Sequence, residues 1–267
     1  FHLIHLGVTF LFIDLSAIKN DKHLAMKNLI SIQNIIKSFK NLKAVNNLSL
    51  DIKEGEIYGL LGSNGAGKST TLNILLGFLK PDSGTALING IDTTDNSDEA
   101  RKQNGYIPEN VSLYPYLTGV ENLDYFCKLN GKSHSPEKLE GFLDKCGLDS
   151  EFHNLRTEIY SKGMRQKVGI AIALAKEASV YLLDEPASGL DPLASNELSA
   201  LLRTLASSGA GILMASHDIF RVRETCDRIG ILKNGSSRQV TESPNEIIVT
   251  NTESEETKQE ENPSSND

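Results

Sequence analysis

The sequence predicts an α/β protein with a mostly parallel β-sheet that is covered by helices on both faces. An apolar strand, a glycine-rich turn and an apolar helix follow one another over residues 57–76. A second apolar strand, from residue 180 onward, ends in the carboxylates of Asp184 and Glu185, and strands and helices alternate between residues 165 and 215. This alternation is typical of parallel strands that are joined by crossover helices.

The glycine-rich turn has the residues of a triphosphate-binding loop. It lies between a predicted strand, Ile57–Leu61, and a predicted helix, Thr71–Leu76. Glycines let successive N–H groups point inward, and the helix adds the positive end of its dipole beneath the phosphates. We expect Lys68 to reach the β- and γ-phosphates of ATP and the Ser69 hydroxyl to ligate Mg²⁺. The predicted nucleotide-binding residues of the loop are Gly62, Ser63, Asn64, Gly65, Ala66, Gly67, Lys68, Ser69 and Thr70.

The other elements follow from apolar periodicity and turn residues. Further strands are predicted at Leu29–Ile35, Ala44–Ile52, Thr85–Asn89, around Tyr106, at Val180–Leu183 and at Gly211–Ala215, and helices at Arg165–Lys176 and Pro192–Leu205. Asp191 occupies a capping position before the proline that opens the last of these helices. Between about residues 110 and 160, apolar residues recur at helical spacing, which predicts a helical subdomain inserted into the α/β core.

Composition limits the classes of function. The chain has 267 residues, of which 39% are hydrophobic, enough for one α/β domain with a small annex. Its three cysteines are far apart without CxxC pairing, which argues against a disulfide framework or a zinc site and indicates a reducing compartment. The net charge is −8, and no basic stripe is available for nucleic acid. No segment reaches the roughly 18 to 20 apolar residues of a membrane-spanning helix, so we expect a soluble or peripheral protein.

The two ends of the chain differ in character from the middle. Met26 is the first methionine and is followed at once by a strand-like segment, so residues 1–25 are interpreted as a non-native or disordered extension, with an amphipathic arm as the alternative. From Ser236 the residues are mainly polar and acidic, so we predict a disordered acidic tail over 236–267.

Polar residues at two strand ends predict the chemistry of the site. The carboxyl ends of parallel strands share one edge of the sheet, where the phosphate loop also lies. Asp184 is therefore placed to hold Mg²⁺ through its water shell, and Glu185 to polarise the attacking water as a general base. His217 follows another predicted strand and is expected at the same edge, within reach of the γ-phosphate.

With Lys68, the Asp184-Glu185 pair and His217 in this order, the chain from about Leu29 to Gly235 resembles the ATP-binding cassette of ABC transporters. The resemblance implies a P-loop NTPase core with an antiparallel β subdomain and an inserted helical subdomain. It also implies that Phe39 stacks on adenine, that Ser188-Gly-Leu-Asp191 is the D-loop, and that His217 is the switch histidine. We identify the region 26–235 with this nucleotide-binding domain.

The resemblance further implies a second chain at the site. The segment from Tyr160 to Gln166 occupies the place of the family's signature motif, usually Leu-Ser-Gly-Gly-Gln, and its Ser161 and Gly163 are expected to contact ATP that is held by a head-to-tail partner cassette. Ser161 also stands where it would cap the following helix and offer donors to an anion.

Three residues, in two motifs, depart from the family's pattern. Lys162 and Met164 replace the usual glycine and glutamine of the signature, and Glu109 stands where the family usually has a glutamine that ligands Mg²⁺. Both variants resemble those of cassettes in the drug, antibiotic and sodium exporter branch, whose permease is a separate chain. Asn104 also departs from expectation, because a β-branched residue would suit the strand before Tyr106.

The predicted function is thus an ATPase subunit that powers an exporter through a separate multi-span membrane permease, as a head-to-tail homodimer or paired cassette. Its expected location is the cytoplasmic face of the membrane, with ATP and Mg²⁺ as cofactors. Two alternatives stay open from the sequence. One is a soluble cassette ATPase, for example of the iron–sulfur assembly kind, and the other is a scaffold that senses nucleotide without turnover. Retention of Glu185 and His217 argues against the scaffold.

Overall fold

Two β-sheets and eight α-helices make up residues 27–40, 42–233 and 235–240, which are those described by the computed structural model. The strands are β1 Asn28–Phe39, β2 Leu42–Lys53, β3 Ile57–Leu61, β4 Ser83–Ile88, β5 Ile91–Asp92, β6 Asn104–Ile107, β7 Val180–Asp184, β8 Gly211–Ser216, β9 Arg228–Lys233 and β10 Ser236–Val240. The helices are α1 Lys68–Leu75, α2 Ser97–Lys102, α3 Gly119–Leu129, α4 Pro136–Lys145, α5 Ser150–His153, α6 Lys162–Ala175, α7 Pro192–Ser207 and α8 Ile219–Thr225, with a 3₁₀ turn at Thr157–Ile159.

The larger sheet has the strand order β10-β9-β3-β8-β7-β6, and all its pairs are parallel except β10 with β9. Its central strands β3, β7 and β8 are buried at every residue. Uninterrupted apolar strands of this kind need cover on both faces, which helices supply. The phosphate loop follows β3, Glu185 follows β7 and His217 follows β8, so the parallel order gathers all three at one edge.

The smaller sheet is antiparallel, with the order β2-β1-β4-β5. It packs against α1 and one face of the larger sheet through a common apolar core that includes Ile30, Val45, Leu72 and Leu213. The predicted fold class, a mostly parallel core with an antiparallel β subdomain and inserted helices, is confirmed.

Helices α3 to α5 lie between β6 and α6 in the chain; α3 and α4 pack on α6, and α5 packs on α3 and α4. Helix α3 begins with a capping box, in which Thr118 Oγ1 accepts from the Glu121 N–H and the Glu121 carboxylate accepts from the Thr118 N–H. Buried Asn122 bonds three backbone carbonyls and accepts from the Tyr114 N–H. Of the helices in the described residues, none has the length and apolarity to cross a membrane.

The structure corrects several boundaries. Residues 236–240 form β10, in register with all but the first residue of β9, so the tail predicted to begin at Ser236 is wrong for its first five residues. The expectations for residues 1–25 and 241–267 lie outside the described residues. Helix α1 begins at Lys68 rather than at Thr71, because the phosphate loop itself leads into the first turn. Helix α8 and β9 had no sequence prediction.

Asn104 now has a structural role. Its side chain is buried, and Asn104 Nδ2 donates to the carbonyl of Ala100 at 3.1 Å. The same carbonyl also accepts from the Gln103 N–H at 3.1 Å, so the Asn104 side chain adds a second hydrogen bond at the end of α2. A β-branched residue at the start of β6 would leave that carbonyl without this donor.

Candidate functional site

The phosphate loop turns tightly between β3 and α1. Gly67 has a φ of 109°, and a methyl group on its Cα would lie 2.2 Å from the carbonyl oxygen of Ala44 in β2. Only glycine fits a backbone of this kind. Gly67 is also the N-cap of α1 and brings no side chain to the first-turn amides, which stay available to an anion.

Lys68 is buried and directed back over the loop. Its Nζ donates to the carbonyl of Gly62 at 2.7 Å and to that of Ser63 at 3.3 Å, and it lies 3.5 Å from Glu185 Oε1. The ammonium is therefore held at the centre of the loop by neutral acceptors and one carboxylate. A triphosphate would offer this cation stronger, charged acceptors.

Glu185 contacts three other side chains of the site. Oε1 lies 2.9 Å from His217 Nδ1, and Oε2 accepts a hydrogen bond from the Ser216 hydroxyl at 2.9 Å. Glu185 is buried, with 9% of its surface exposed, whereas His217 is exposed. The carboxylate thus contacts the loop lysine and the histidine together.

Asp184 lies beside Ser69. The Ser69 side chain neighbours its carboxylate, and the negative charges of Glu185 and Glu109 also act on it. Burial, and to a lesser degree these two like charges, raise the pKa of Asp184 above its usual value of 3.8, although Ser69 and Lys68 oppose the rise. A cation bound here would relieve the repulsion.

These groups line one cavity of about 320 Å³. Its lining consists of Ser63, Asn64, Gly65, Gly67, Lys68, Ser69, Thr70, Glu109, Asp184, Glu185 and His217. Gly62 and Ala66 support the loop from beneath rather than line the cavity: Ala66 is buried, and the N–H of Gly62 donates to Ser216.

The side chains at this site offer Mg²⁺ the oxygen ligands that it prefers, but too few of them to complete its coordination. Ser69, Asp184 and Glu109 offer oxygen atoms only, which is the preference of this ion. No group of three or more acidic, histidine or cysteine side chains in the described part of the chain is arranged to hold a metal ion by itself. Phosphate oxygens and waters would have to complete the coordination, as is usual for Mg²⁺ with nucleotides.

Four predicted residues lie away from this cavity. Ser161 is the N-cap of α6, where its hydroxyl accepts from the Met164 N–H at 3.2 Å. Gly163, in the first turn of α6, lies against the loop at Gly189. Asp191 caps α7 by accepting from the Ala194 N–H at 2.9 Å, which confirms the predicted cap. Within one chain, neither Ser161 nor Gly163 can reach the phosphate loop's cavity.

Phe39 ends β1 and is the fourth. It is 47% exposed, and Lys37 Nζ lies 5.7 Å from the centre of its ring. Phe39 pairs with Leu42 in β2, two residues before Ala44, whose carbonyl faces Gly67. The backbone of Phe39 thus lies near the strand that contacts the phosphate loop, and about half of the residue is open to a ligand. Tyr58, in contrast, is 1% exposed and cannot stack on a ligand.

Two contributions escaped the sequence analysis. Ser216, the last residue of β8, bonds Glu185 across 31 positions in the chain; its place immediately before His217 was the only available signal. Lys162 was noted only as a departure from the signature pattern, but its Nζ donates to Ser188 Oγ at 2.9 Å.

Comparison with known proteins identifies the family of the chain that carries this site. A family model described as ABC transporter matches residues 45–188, which span the phosphate loop and the Asp184-Glu185 pair. The chain belongs to the ABC transporter family. It is an ATP-binding cassette, and the fold, the binding of ATP and the ATPase class predicted from the sequence are confirmed.

Curated relatives are ATP-binding proteins of ABC transporters. The cassette is 37% identical over 208 residues to the uncharacterized ABC transporter ATP-binding protein YdbJ of Bacillus subtilis, covering 78% of this chain and 67% of that one. It is 36% identical to the bacitracin transport ATP-binding protein BcrA of Bacillus licheniformis, covering 79% and 68%. It is 33% identical to the linearmycin resistance ATP-binding protein LnrL of Bacillus subtilis, covering 78% and 67%.

Solved structures with the same fold include an ATP-binding subunit of an ABC transporter, at 33% identity and a TM-score of 0.72, covering 79% of this chain and 88% of that one. The cassette MJ0796, in a dimeric post-hydrolysis state bound to ADP and Pi, matches at 29% identity and a TM-score of 0.73, covering 80% and 99%. These matches agree with a cassette that binds and hydrolyses ATP.

Proposed function

We propose that this cassette hydrolyses Mg²⁺-bound ATP between its own phosphate loop and the signature segment of a second cassette, and that hydrolysis powers an exporter of drug-like or antibiotic compounds. The names of the relatives support the export of such compounds, since they include bacitracin transport, linearmycin resistance and multidrug proteins. In this proposal the membrane path belongs to a separate multi-span permease, and the cassette works at the inner face of the membrane.

Binding of ATP is assigned to the loop and to Phe39. The first-turn amides of α1 and the Lys68 ammonium meet the phosphates, and the exposed Phe39 ring offers a face to adenine. On binding, the phosphates replace the carbonyls of Gly62 and Ser63 as acceptors for Lys68, and they separate Lys68 from Glu185. For Lys68, charged phosphate oxygens thus replace two neutral carbonyl acceptors.

Hydrolysis is assigned to Glu185 as the general base. Its carboxylate accepts the proton of the attacking water, and the bonds from Ser216 and His217 hold it towards the γ-phosphate. His217 contacts the γ-phosphate side of the cavity through its exposed ring. Ser69, Asp184 and Glu109 would hold Mg²⁺, which would supply positive charge to the phosphate oxygens.

The observation that carries the proposal is the position of Glu185 between Lys68 and His217, because a non-hydrolysing scaffold has no need of a proton acceptor there. The soluble iron–sulfur type of cassette is not favoured, since the relatives are transport proteins.

Glu185→Gln tests the assignment. The amide fits the same space but cannot accept a proton, so we expect ATP hydrolysis to fall about 10²- to 10⁴-fold while ATP affinity is kept. Phosphate release and ATP binding are measured on the purified chain. Glu99→Gln is the matched control, since Glu99 is an exposed carboxylate that pairs with Lys102 on α2. Hydrolysis by Glu185→Gln at the rate of the parent would place the general base elsewhere.

Lys68→Ala separates binding from turnover in the same assays. It removes the cation at the centre of the loop, so both ATP binding and hydrolysis should be lost, whereas Glu185→Gln should lose hydrolysis alone. Near-normal affinity in Lys68→Ala would contradict the role assigned to the loop.

A further inference from the structure

The signature segment is joined to the loop that follows Glu185 within the same chain. Lys162, the first residue of α6, reaches across to Ser188, and its Nζ donates to Ser188 Oγ at 2.9 Å. The aliphatic part of Lys162 lies over Gly189, where a methyl group would be 2.8 Å from Lys162 Cδ. Gly189 has a φ of 85°, so two features keep this position free of a side chain.

Ser188 in turn is tied to Glu185. The N–H of Ser188 donates to the carbonyl of Glu185 at 3.0 Å, and the N–H of Glu185 donates to Ala215 at 2.9 Å. Glu185 has a φ of 47°, a left-handed conformation that a non-glycine residue adopts only when its surroundings enforce it. The turn from Glu185 to Ser188 is therefore one of the constraints that hold this backbone. Lys162 is hydrogen-bonded to Ser188, the last residue of the turn.

The ammonium of Lys162 has no carboxylate within 4 Å among the described residues, and the first turn of α6 contains no acidic residue. Among the described residues, the Lys162 ammonium is therefore held by its hydrogen bond to the Ser188 hydroxyl. Gly163 adds a second contact between the segments, because a methyl group on it would lie 3.1 Å from the carbonyl oxygen of Gly189. The signature segment and the Ser188–Gly189 turn pack closely enough to move together.

We propose that Lys162 is a positioning residue for hydrolysis: through Ser188 it couples the signature segment to the backbone of Glu185 in its own chain. The inference rests on the proposed function, in which the signature segment engages the partner's nucleotide and Glu185 is the general base. Engagement of Ser161 and Gly163 by the partner's ATP then fixes Lys162, Ser188 and the turn, and so sets the orientation of this chain's own Glu185 carboxylate.

A double-mutant cycle tests the coupling. Lys162→Met keeps the aliphatic part of the side chain and removes the donor, and Ser188→Ala removes the acceptor. Each should lower kcat about two- to tenfold, the effect of one hydrogen bond, with an unchanged KM for ATP because the phosphate loop is intact. The double variant should lose no more than either single one, since both remove the same bond. Lys162→Arg, which keeps a donor, should retain most of the activity.

Matched controls are Lys128→Met and Ser207→Ala. Lys128 is exposed on α3, and Ser207 donates to a backbone carbonyl in α7, so both changes repeat the chemistry away from the site. Thermal melting of every variant accompanies the kinetics. Activity at the parent level in both single variants, or losses that multiply in the double variant, would overturn the coupling. Multiplied losses would instead indicate that Lys162 contacts the partner's nucleotide directly.

Glu185→Gln, measured in parallel, separates this inference from the proposed function. If Glu185→Gln hydrolyses ATP like the parent, the assignment of the general base fails and the coupling fails with it. If Glu185→Gln is inactive while Lys162→Met and Ser188→Ala behave like the parent, the coupling alone is wrong.

Discussion

Glu185 combines a strained backbone with a central place in the site. A left-handed conformation at a non-glycine residue costs about 1 to 3 kcal/mol. The cost is borne because both backbone groups of Glu185 are hydrogen-bonded and its carboxylate meets Ser216, His217 and Lys68. The carboxylate of Glu185 bonds Ser216 and His217, whereas Ser69 neighbours that of Asp184, so the two adjacent carboxylates have different partners.

Phe39→Ala tests the adenine contact at the scale of one residue. Stacking of a base on an aromatic ring contributes roughly 1 to 3 kcal/mol, so ATP affinity should fall about five- to a hundredfold. The parent should also discriminate poorly among nucleobases, because every base has a π-face. Equilibrium binding of ATP and GTP to both chains measures this.

Phe78→Ala is the control for that change. Phe78 is also exposed, at 64%, and it also lies beside a cation, since the Arg101 guanidinium is 5.5 Å from its ring centre. Its removal should leave ATP affinity unchanged. An affinity loss of equal size in both variants would show that the Phe39 effect is not specific to a contact with the base.

At the scale of elements, the hairpin β9–β10 supports the phosphate loop. The N–H of Gly235 donates to the carbonyl of Ala66, and the carbonyl of Gly235 accepts from the N–H of Asn46. Leu232 is buried beneath the loop, with its carbonyl oxygen 2.7 Å from where a methyl group on Gly62 would lie. Strand β9 and the turn that leads into β10 therefore contact a loop that is distant in the sequence.

Truncation tests this support. A chain that ends at Gly235 loses the five residue pairs of β10 with β9, while a chain that ends at Val240 keeps them. At about 0.2 to 1 kcal/mol per pair, the shorter chain should be about 1 to 5 kcal/mol less stable and should bind ATP more weakly. Denaturant unfolding and ATP titration compare the two. Equal stability and affinity would mean that β10 is dispensable; a large loss on removal of residues 241–267 alone would show that these residues stabilise the core.

At the scale of the whole molecule, the ATP site has donors on one side only. Ser161 and Gly163 do not line the cavity of their own chain, although Ser161 and the start of α6 present donors on an exposed surface. A second copy, turned head to tail, would bring these groups to the open side of the γ-phosphate. The known dimers of MJ0796 agree with pairing of cassettes.

Mixing of two inactive variants tests the pairing. Ser161→Arg should suppress hydrolysis and spare ATP binding, and Lys68→Ala should lose binding. Their mixed dimer contains one site with both halves intact, so activity should reappear on mixing, and the parent's rate per subunit should rise with protein concentration. If both proteins are folded and the mixture stays inactive, either the signature segment does not act across the dimer or both sites must be intact.

Sequence alone determined the phosphate loop, the strand-end carboxylates, the histidine and the fold class. These features are encoded by neighbouring residues, because a glycine turn between an apolar strand and a helix is a local pattern, and parallel strands bring their carboxyl ends to one edge. The cap at Asp191 was predictable for the same reason.

Only the tertiary structure decided which groups meet. Several contacts join residues that are far apart in the sequence. They are the contacts of Glu185 with Ser216 and Lys68 and the hydrogen bond of Lys162 to Ser188. The structure also decided the pairing of β10 with β9. Residues 236–240 are polar except for Val240 and show no periodic apolar face, yet they form a strand because β9 presents an unpaired edge. The sheet order and the packing of α6 against the turn after β7 bring these partners together, and neither is encoded in the residues beside them.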